Sequence, residues 1–139
     1  MSAPERQPRV LVIDDRPGIR EVFREFLDVL GYGADVAPDG DRGLAMVAAG
    51  SYGLVITDLR MPGMSGIEVA TSVRREHPGL QVIVVTGSAE PEELDQLRGL
   101  NVPCLSKPVT LQDFTAAVAR AFGPAAPGGC PLALDAVIV

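Results

Sequence analysis

The sequence lacks tryptophan and contains few cysteines, few aromatic residues and few basic residues. Its two cysteines, Cys104 and Cys130, lack the paired spacing of a metal or redox site, and a disulfide scaffold would need a higher cysteine density. Lysine and arginine number 12 against 18 acidic residues, which leaves a net charge of -6 and no basic stripe for a nucleic-acid backbone. We therefore expect reduced cysteines and no direct binding of nucleic acid.

Long apolar runs are also missing. No segment approaches the roughly 18 apolar residues of a membrane helix. Residues 1–8 are polar and proline-rich, without the apolar region of a signal peptide. These absences predict a cytoplasmic protein that does not associate with membranes. The chain does have a hydrophobic content of 47% in 139 residues, which suffices for one domain core.

Apolar runs alternate with segments of helical periodicity between Arg9 and Phe122. This alternation predicts an α/β domain in which helices connect the strands of a parallel sheet. Most of the runs are almost continuously apolar, as expected for strands that helices cover on both faces. The predicted strands are residues 10–13, 33–37, 54–57, 81–86 and 102–105.

The first predicted helix repeats its apolar residues at 3.6-residue spacing between Pro17 and Gly31, which are typical of a helix start and a helix end. Ser65 and Glu68 have the spacing of a capping box at the start of the third helix. Thr110 is expected to cap the last helix. The sequence therefore predicts helix ends at these positions.

Three segments follow from these patterns. Residues 1–8 are expected to be a flexible N-terminus, and residues 9–122 to be the folded domain. Residues 123–139 combine a Pro/Gly-rich linker with a short apolar tail that is too small to fold alone.

Polar side chains follow four of the predicted strands. Asp14 and Asp15 follow the first strand, Asp58 the third and Lys107 the fifth, while Thr86 ends the fourth. Ligands of open parallel sheets bind at the carboxyl ends of the strands, so these side chains are candidates for one site. Taken singly, each has an ordinary explanation as a turn, loop or solvated residue. Their coincidence at four strand ends favours a shared function.

Three clustered carboxylates repel one another and need compensating cations. Lys107 supplies one positive charge, and a metal ion could supply the rest. The available ligands are hard oxygen atoms, which favour Mg²⁺ over metals that prefer thiolate or imidazole. A carboxylate can also act as the nucleophile that forms an aspartyl phosphate. The pattern is therefore compatible with phosphoryl transfer.

Four sequence motifs carry a specific resemblance. They are Val-Leu-Val-Ile-Asp-Asp at 10–15, Asp-Leu-Arg-Met-Pro-Gly-Met-Ser-Gly at 58–66, Val-Thr-Gly at 85–87 and Leu-Ser-Lys-Pro at 105–108. In order and approximate spacing they resemble the response-regulator receiver family of two-component signalling, the CheY-like superfamily. The resemblance implies a flavodoxin-like, doubly wound sheet of five parallel strands in the order 2-1-3-4-5, with helices on both faces.

The resemblance also implies a metal site and an acceptor. Asp58 would be the phosphoacceptor and one of the Mg²⁺ ligands. Asp15 would bind Mg²⁺ directly, Asp14 would hold it through water, and the backbone carbonyl of Arg60 would complete the protein ligands. Lys107 would pair with the phosphoryl group, and the peptide bond before the next residue, a proline, would be cis.

The remaining implied roles concern switching and phosphoryl lifetime. Thr86 would move its hydroxyl group onto the phosphoryl group. The family usually has an aromatic switch residue where this chain has Cys104, so that part of the switch differs. Arg60 and Ser88 occupy the positions at which family members tune the lifetime of the phosphorylated state.

The function implied is that of a phosphorylation-controlled interaction module. It would receive phosphate from a sensor histidine kinase or a histidine phosphotransfer protein and present a changed surface to a downstream protein. It would not be an enzyme beyond its own phosphorylation and dephosphorylation. A homodimer remains open, as does a receiver portion of a longer DNA-binding regulator or hybrid kinase. A Mg²⁺-dependent phosphohydrolase of the haloacid-dehalogenase type is disfavoured, because Arg60 stands where those enzymes have a second aspartate.

Overall fold

Five strands alternate with five helices in residues 9–122, the part of the chain that the computed structural model describes. The predicted N-terminal segment and the predicted linker and tail lie outside these residues. Within them, no helix is both long enough and apolar enough to cross a membrane. The strands are β1 (Arg9–Ile13), β2 (Gly33–Ala37), β3 (Tyr52–Asp58), β4 (Gln81–Thr86) and β5 (Cys104–Ser106). The helices are α1 (Pro17–Leu30), α2 (Gly40–Ala49), α3 (Gly66–Glu76), α4 (Pro91–Gly99) and α5 (Leu111–Phe122).

The strands form one parallel sheet in the order β2-β1-β3-β4-β5, which confirms the predicted topology. Alternate residues of the central strands belong to two separate hydrophobic clusters, one on each face of the sheet. Side chains from α1 and α5 complete one cluster, and side chains from α2, α3 and α4 complete the other. The sheet is therefore covered on both faces, which explains why its central strands are so uniformly apolar.

Helix α1 has the predicted limits. Pro17 occupies its first turn, where the missing N–H costs no hydrogen bond. Gly31 ends it in the left-handed conformation at φ 94°, a geometry that glycine adopts without strain. Phe23 of α1 is buried and stacks on Phe114 of α5 with a centroid separation of 5.3 Å. This pair joins the two helices on one face of the sheet.

Helix α3 begins next to the end of β3. The hydroxyl of Ser65 accepts the N–H of Glu68, and the Glu68 carboxylate accepts the N–H of Ser65, which confirms the capping box. A Cβ atom at Gly66 would collide with the carbonyl oxygen of Asp58. Glycine at this position therefore allows α3 to start against the strand end that carries Asp58.

The fifth strand begins later in the chain than the sequence predicts. The prediction is residues 102–105, whereas β5 spans Cys104–Ser106. The N–H of Val102 instead donates to the carbonyl of Leu97 and closes the end of α4. Pro103 has no N–H, although its carbonyl accepts the N–H of Val84. Hydrophobicity alone placed Val102 in the strand, because buried loop and strand residues look alike in sequence.

Candidate functional site

The carboxyl ends of β1 and β3 bring three carboxylates together. Asp14, Asp15 and Asp58 each offer one oxygen atom, and these atoms all lie within 4.8 Å of one another. Asp14 and Asp58 are buried, with 2% and 8% of their surfaces exposed, whereas Asp15 is exposed to solvent. The cluster thus has an open side through which an ion or a phosphodonor could enter.

Asp58 has two defined partners. Its Oδ1 atom accepts the N–H of Leu59 at 2.9 Å, and Lys107 Nζ lies 3.7 Å from the same oxygen. Lys107 is anchored by its own backbone N–H, which donates to the carbonyl of Thr86 at 2.8 Å. The Lys107-Pro108 peptide bond is cis, as the resemblance implies. The β5–α5 connection therefore brings a cation to the carboxylate that ends β3.

Burial and repulsion both act on the carboxylates. Burial is the main cause that raises the pKa of Asp58, and the charge of Asp15 adds to it, against the opposing effects of Lys107, the Leu59 N–H and Arg16. Burial also raises the pKa of Asp14, and the charges of Asp58 and Asp15 add to it; the N–H of Arg16 and the charge of Lys107 oppose this rise. The nearby cations therefore do not fully compensate the acidic cluster. Three convergent oxygen ligands with uncompensated negative charge fit a hard divalent ion such as Mg²⁺.

Thr86 is buried at the end of β4, and its hydroxyl bonds within its own loop. It donates to the carbonyl of Ser88 at 2.9 Å and accepts the N–H of Ser88 at 3.2 Å. A hydroxyl that moved to a phosphoryl group on Asp58 would have to leave the Ser88 carbonyl. Such a motion would disturb the start of the loop that leads into α4.

The side chain of Arg60 lies against α4. It donates to both carboxylate oxygens of Glu93, at 2.7 and 3.1 Å, and also to the carbonyl of Ser88 at 3.3 Å. Half of the Arg60 side chain is exposed, compared with 23% of the Glu93 side chain. The resemblance implies that Arg60 and Ser88 tune the lifetime of the phosphorylated state. These two residues are thus in direct contact.

Cys104 is partly buried at the start of β5 and packs against the cluster that includes α3 and α4. Burial raises the pKa of its thiol, and the negative charge of Glu93 raises it further. The thiol is therefore mostly protonated at neutral pH, which is typical of a packing residue rather than of a reactive cysteine.

Sequence reasoning missed three residues around the site. The sequence does not point to Glu93, because the Glu-Pro-Glu-Glu segment at 90–93 indicates only a helix start. Arg16 contributes positive charge near Asp58, and Arg20 donates to the backbone carbonyl of Asp14 at 2.7 Å. Arg20 can reach the carbonyl of Asp14 because it follows Asp14 by only six residues and lies in the first turn of α1. That spacing could have suggested it, whereas the pairing of Arg60 with Glu93 has no sequence signal.

Comparisons with known proteins agree with this geometry. The sequence model of the family described as the response regulator receiver domain matches residues 10–119. The chain is 36% identical to the sensor protein EvgS of Escherichia coli K12 over 104 residues, which are 73% of this chain and 9% of EvgS. It is 32% identical to the transcriptional regulatory protein DltR of Streptococcus agalactiae over 113 residues, which are 79% of this chain and 50% of DltR. The chain therefore spans at most half the length of these curated relatives.

Solved structures that are similar to this chain also include response regulators. The response regulator TrrA of Thermotoga maritima, crystallised with Mg²⁺-BeF, is 33% identical, with a TM-score of 0.74 over 83% of this chain and 99% of TrrA. TrrA in complex with the histidine kinase ThkA is also similar, with 31% identity and a TM-score of 0.76 over 84% of this chain and all of that one.

Proposed function

Because the chain belongs to the response regulator receiver family, we propose that Asp58 accepts a phosphoryl group and that the domain then changes a protein-interaction surface. The observation that carries this proposal is the meeting of Asp14, Asp15 and Asp58 at one sheet edge with Lys107 Nζ 3.7 Å from Asp58. Such a site combines a nucleophilic carboxylate, metal ligands and a fixed cation.

The chemistry assigned to each residue follows from its position. The Asp58 carboxylate would attack phosphorus, while the bond from phosphorus to the donor breaks and the donor keeps that electron pair. Lys107 would pair with a phosphoryl oxygen, and Thr86 would donate its hydroxyl to another. Asp15, Asp14 through water, Asp58 and the Arg60 carbonyl would hold Mg²⁺. When bound, Mg²⁺ supplies positive charge that offsets the charge on the transferred group.

The proposed donor is a sensor histidine kinase or a histidine phosphotransfer protein. The proposed target of the signal is a downstream protein. The similarity to TrrA, which was crystallised with the histidine kinase ThkA, supports the kinase as a donor. A cytoplasmic location is part of the same proposal, since kinases draw their phosphate from ATP there. The greater length of EvgS and DltR is compatible with this chain being the receiver portion of a longer regulator or hybrid kinase.

The domain is a signalling domain by family, and we propose that its chemistry is limited to its own phosphorylation and dephosphorylation. A phosphohydrolase of the haloacid-dehalogenase type would need a general acid two residues after the acceptor. Arg60 occupies that position, and its guanidinium is paired with Glu93. An always protonated guanidinium is a poor proton donor, which favours the signalling function.

Intact-mass spectrometry tests the acceptor. Incubation with a small phosphodonor and Mg²⁺ should add one phosphoryl group to the wild-type protein and none to Asp58→Asn. Asp58→Asn keeps the shape of the side chain but removes the nucleophilic charge. Equal labelling of the two proteins would sink the assignment.

A further inference from the structure

The ion pair between Arg60 and Glu93 connects the acceptor loop, residues 59–65 between β3 and α3, to α4. Two N–H groups of the guanidinium donate to the two oxygens of one carboxylate, a fork geometry that fixes the orientation of the arginine. Arg60 lies two residues after Asp58, whereas Glu93 lies in the first turn of α4. The pair therefore holds a cation of the acceptor loop on a different element of the fold.

Glu93 is itself held in place. One of its oxygens also accepts the N–H of Glu90 at 2.8 Å, as part of the capping box of α4. Because α4 fixes Glu93 in this way, Glu93 can fix Arg60. A surface ion pair between two free side chains would have less control over orientation.

The carbonyl of Ser88 joins this arrangement to Thr86. It accepts the hydroxyl of Thr86 at 2.9 Å and the guanidinium of Arg60 at 3.3 Å. Arg60 is thus held by Glu93 and by the loop that follows Thr86. Both contacts keep the guanidinium on the α4 side of the acceptor loop.

We propose that Glu93 is a positioning residue that keeps Arg60 on α4 and so restrains phosphoryl transfer from anionic donors to Asp58. This inference rests on the proposed function of Asp58. The side chain of Arg60 is long and flexible. Once released from Glu93, its guanidinium can approach the negative oxygens of an incoming phosphodonor. The added attraction would raise the transfer rate, because favourable charge speeds the encounter of charged partners.

The test compares Glu93→Gln with Glu92→Gln by initial rates of Asp58 phosphorylation with acetyl phosphate below saturation. Glutamine at position 93 can still accept the N–H of Glu90 in the capping box, but it loses the charge that pairs with Arg60. Glu92 is exposed in the same helical turn, so Glu92→Gln makes the same change in net charge. Thermal unfolding of each variant shows that the fold is kept.

We expect Glu93→Gln to raise the initial rate about five-fold at low ionic strength, the upper range for an exposed pair. The rise should shrink in high salt, because salt screens exposed charges. It should vanish when Glu93→Gln is added to Arg60→Ala, a dependence that a purely structural role of Glu93 would not produce. Glu92→Gln should match the wild type.

Two results would overturn the inference while leaving the proposed function intact. One is a Glu93→Gln variant that reaches the normal extent of labelling, but at the same initial rate as Glu92→Gln or at a lower one. The other is a rise that persists in the Arg60→Ala background. A wild-type protein that takes no label at Asp58 would overturn both the inference and the proposed function.

Discussion

Asp15 differs from the two carboxylates beside it because it is exposed and they are buried. Its negative charge nevertheless raises the pKa of both Asp14 and Asp58. Without a bound cation, Asp15 therefore opposes the ionised form of its neighbours and contributes repulsion to the folded state. In the proposed metal site, the same carboxylate would bind Mg²⁺ and its charge would become favourable. This reversal makes Asp15 a direct test of the electrostatic argument.

Replacing Asp15 with asparagine should abolish Mg²⁺-dependent labelling of Asp58 while the apo protein melts at or above the wild-type temperature. The loss of one repelling carboxylate relieves the apo site, whereas the loss of a charged ligand weakens metal binding. Phosphorylation followed by mass and thermal unfolding without metal are the two measurements. Asp28→Asn makes the same charge change at the far end of α1 and should label normally. An apo Asp15→Asn protein that melts well below wild type would show that the repulsion argument is wrong.

The first three strands of the chain are tied together by side chains as well as by the backbone ladder. Asp35 of β2 accepts hydrogen bonds from Arg9 of β1 at 2.6 Å and from the hydroxyl of Tyr52 of β3 at 2.7 Å. These bonds lower the pKa of Asp35 from 3.8, with the Arg9 bond as the largest cause. Burial and the bond to Asp35 raise the pKa of Tyr52 to about 12. The arrangement favours a charged Asp35 beside a protonated Tyr52.

Asp35→Asn should therefore destabilise the protein at neutral pH and have less effect in acid. A carboxylate whose pKa is lowered by folding stabilises the protein above its unfolded pKa, and that contribution disappears as the pH falls through the folded value. The window lies below about pH 4, since the ordinary value is 3.8. Arg9 and Asp35 are both more than a third exposed, so we expect a loss of about 1 kcal/mol or less in the free energy of unfolding.

Urea unfolding at neutral and acidic pH measures this difference. Asp95→Asn is the matched control, because Asp95 pairs with Arg98 on one exposed helix face and ties no strands together. A cost for Asp35→Asn that stays constant between neutral pH and pH values below 3.8 would contradict the argument.

At the scale of the whole molecule, the sequence predicted the order of elements and the strand ends that meet. The central strands were recognisable because strands covered on both faces must be apolar, and helix limits at Gly31 and Ser65 follow from local backbone chemistry. The contacts of Arg60 and Thr86 could not be predicted, because they depend on how the β3–α3 and β4–α4 loops meet in space. No local pattern links Arg60 to Glu93, which is 33 residues away.

The connection between the site and the protein surface also depends on contacts between distant parts of the molecule. Cys104 stands where the resemblance implies an aromatic switch residue, and its thiol is partly buried with a raised pKa. At about 25 cal/mol per Å² of buried apolar area, a thiol can bias two states by much less than an aromatic ring can. The contacts of Ser88 with Thr86 and Arg60 and of Arg60 with Glu93 instead connect the site to the backbone that begins α4.

We therefore predict that a phosphoryl analogue at Asp58 shifts the backbone of the β4–α4 loop and of α4, while the labelling rate of Cys104 changes little. Amide chemical shifts report the first effect. Thiol-labelling kinetics report the second, in a protein whose Cys130 is replaced by serine so that only one thiol reacts. Labelling should be compared at one fixed pH, because burial and Glu93 keep the thiolate fraction of Cys104 low. A large change in Cys104 labelling with an unmoved α4 would mean that this side chain still acts as the switch, because the motion would then be confined to the residue rather than carried by the helix.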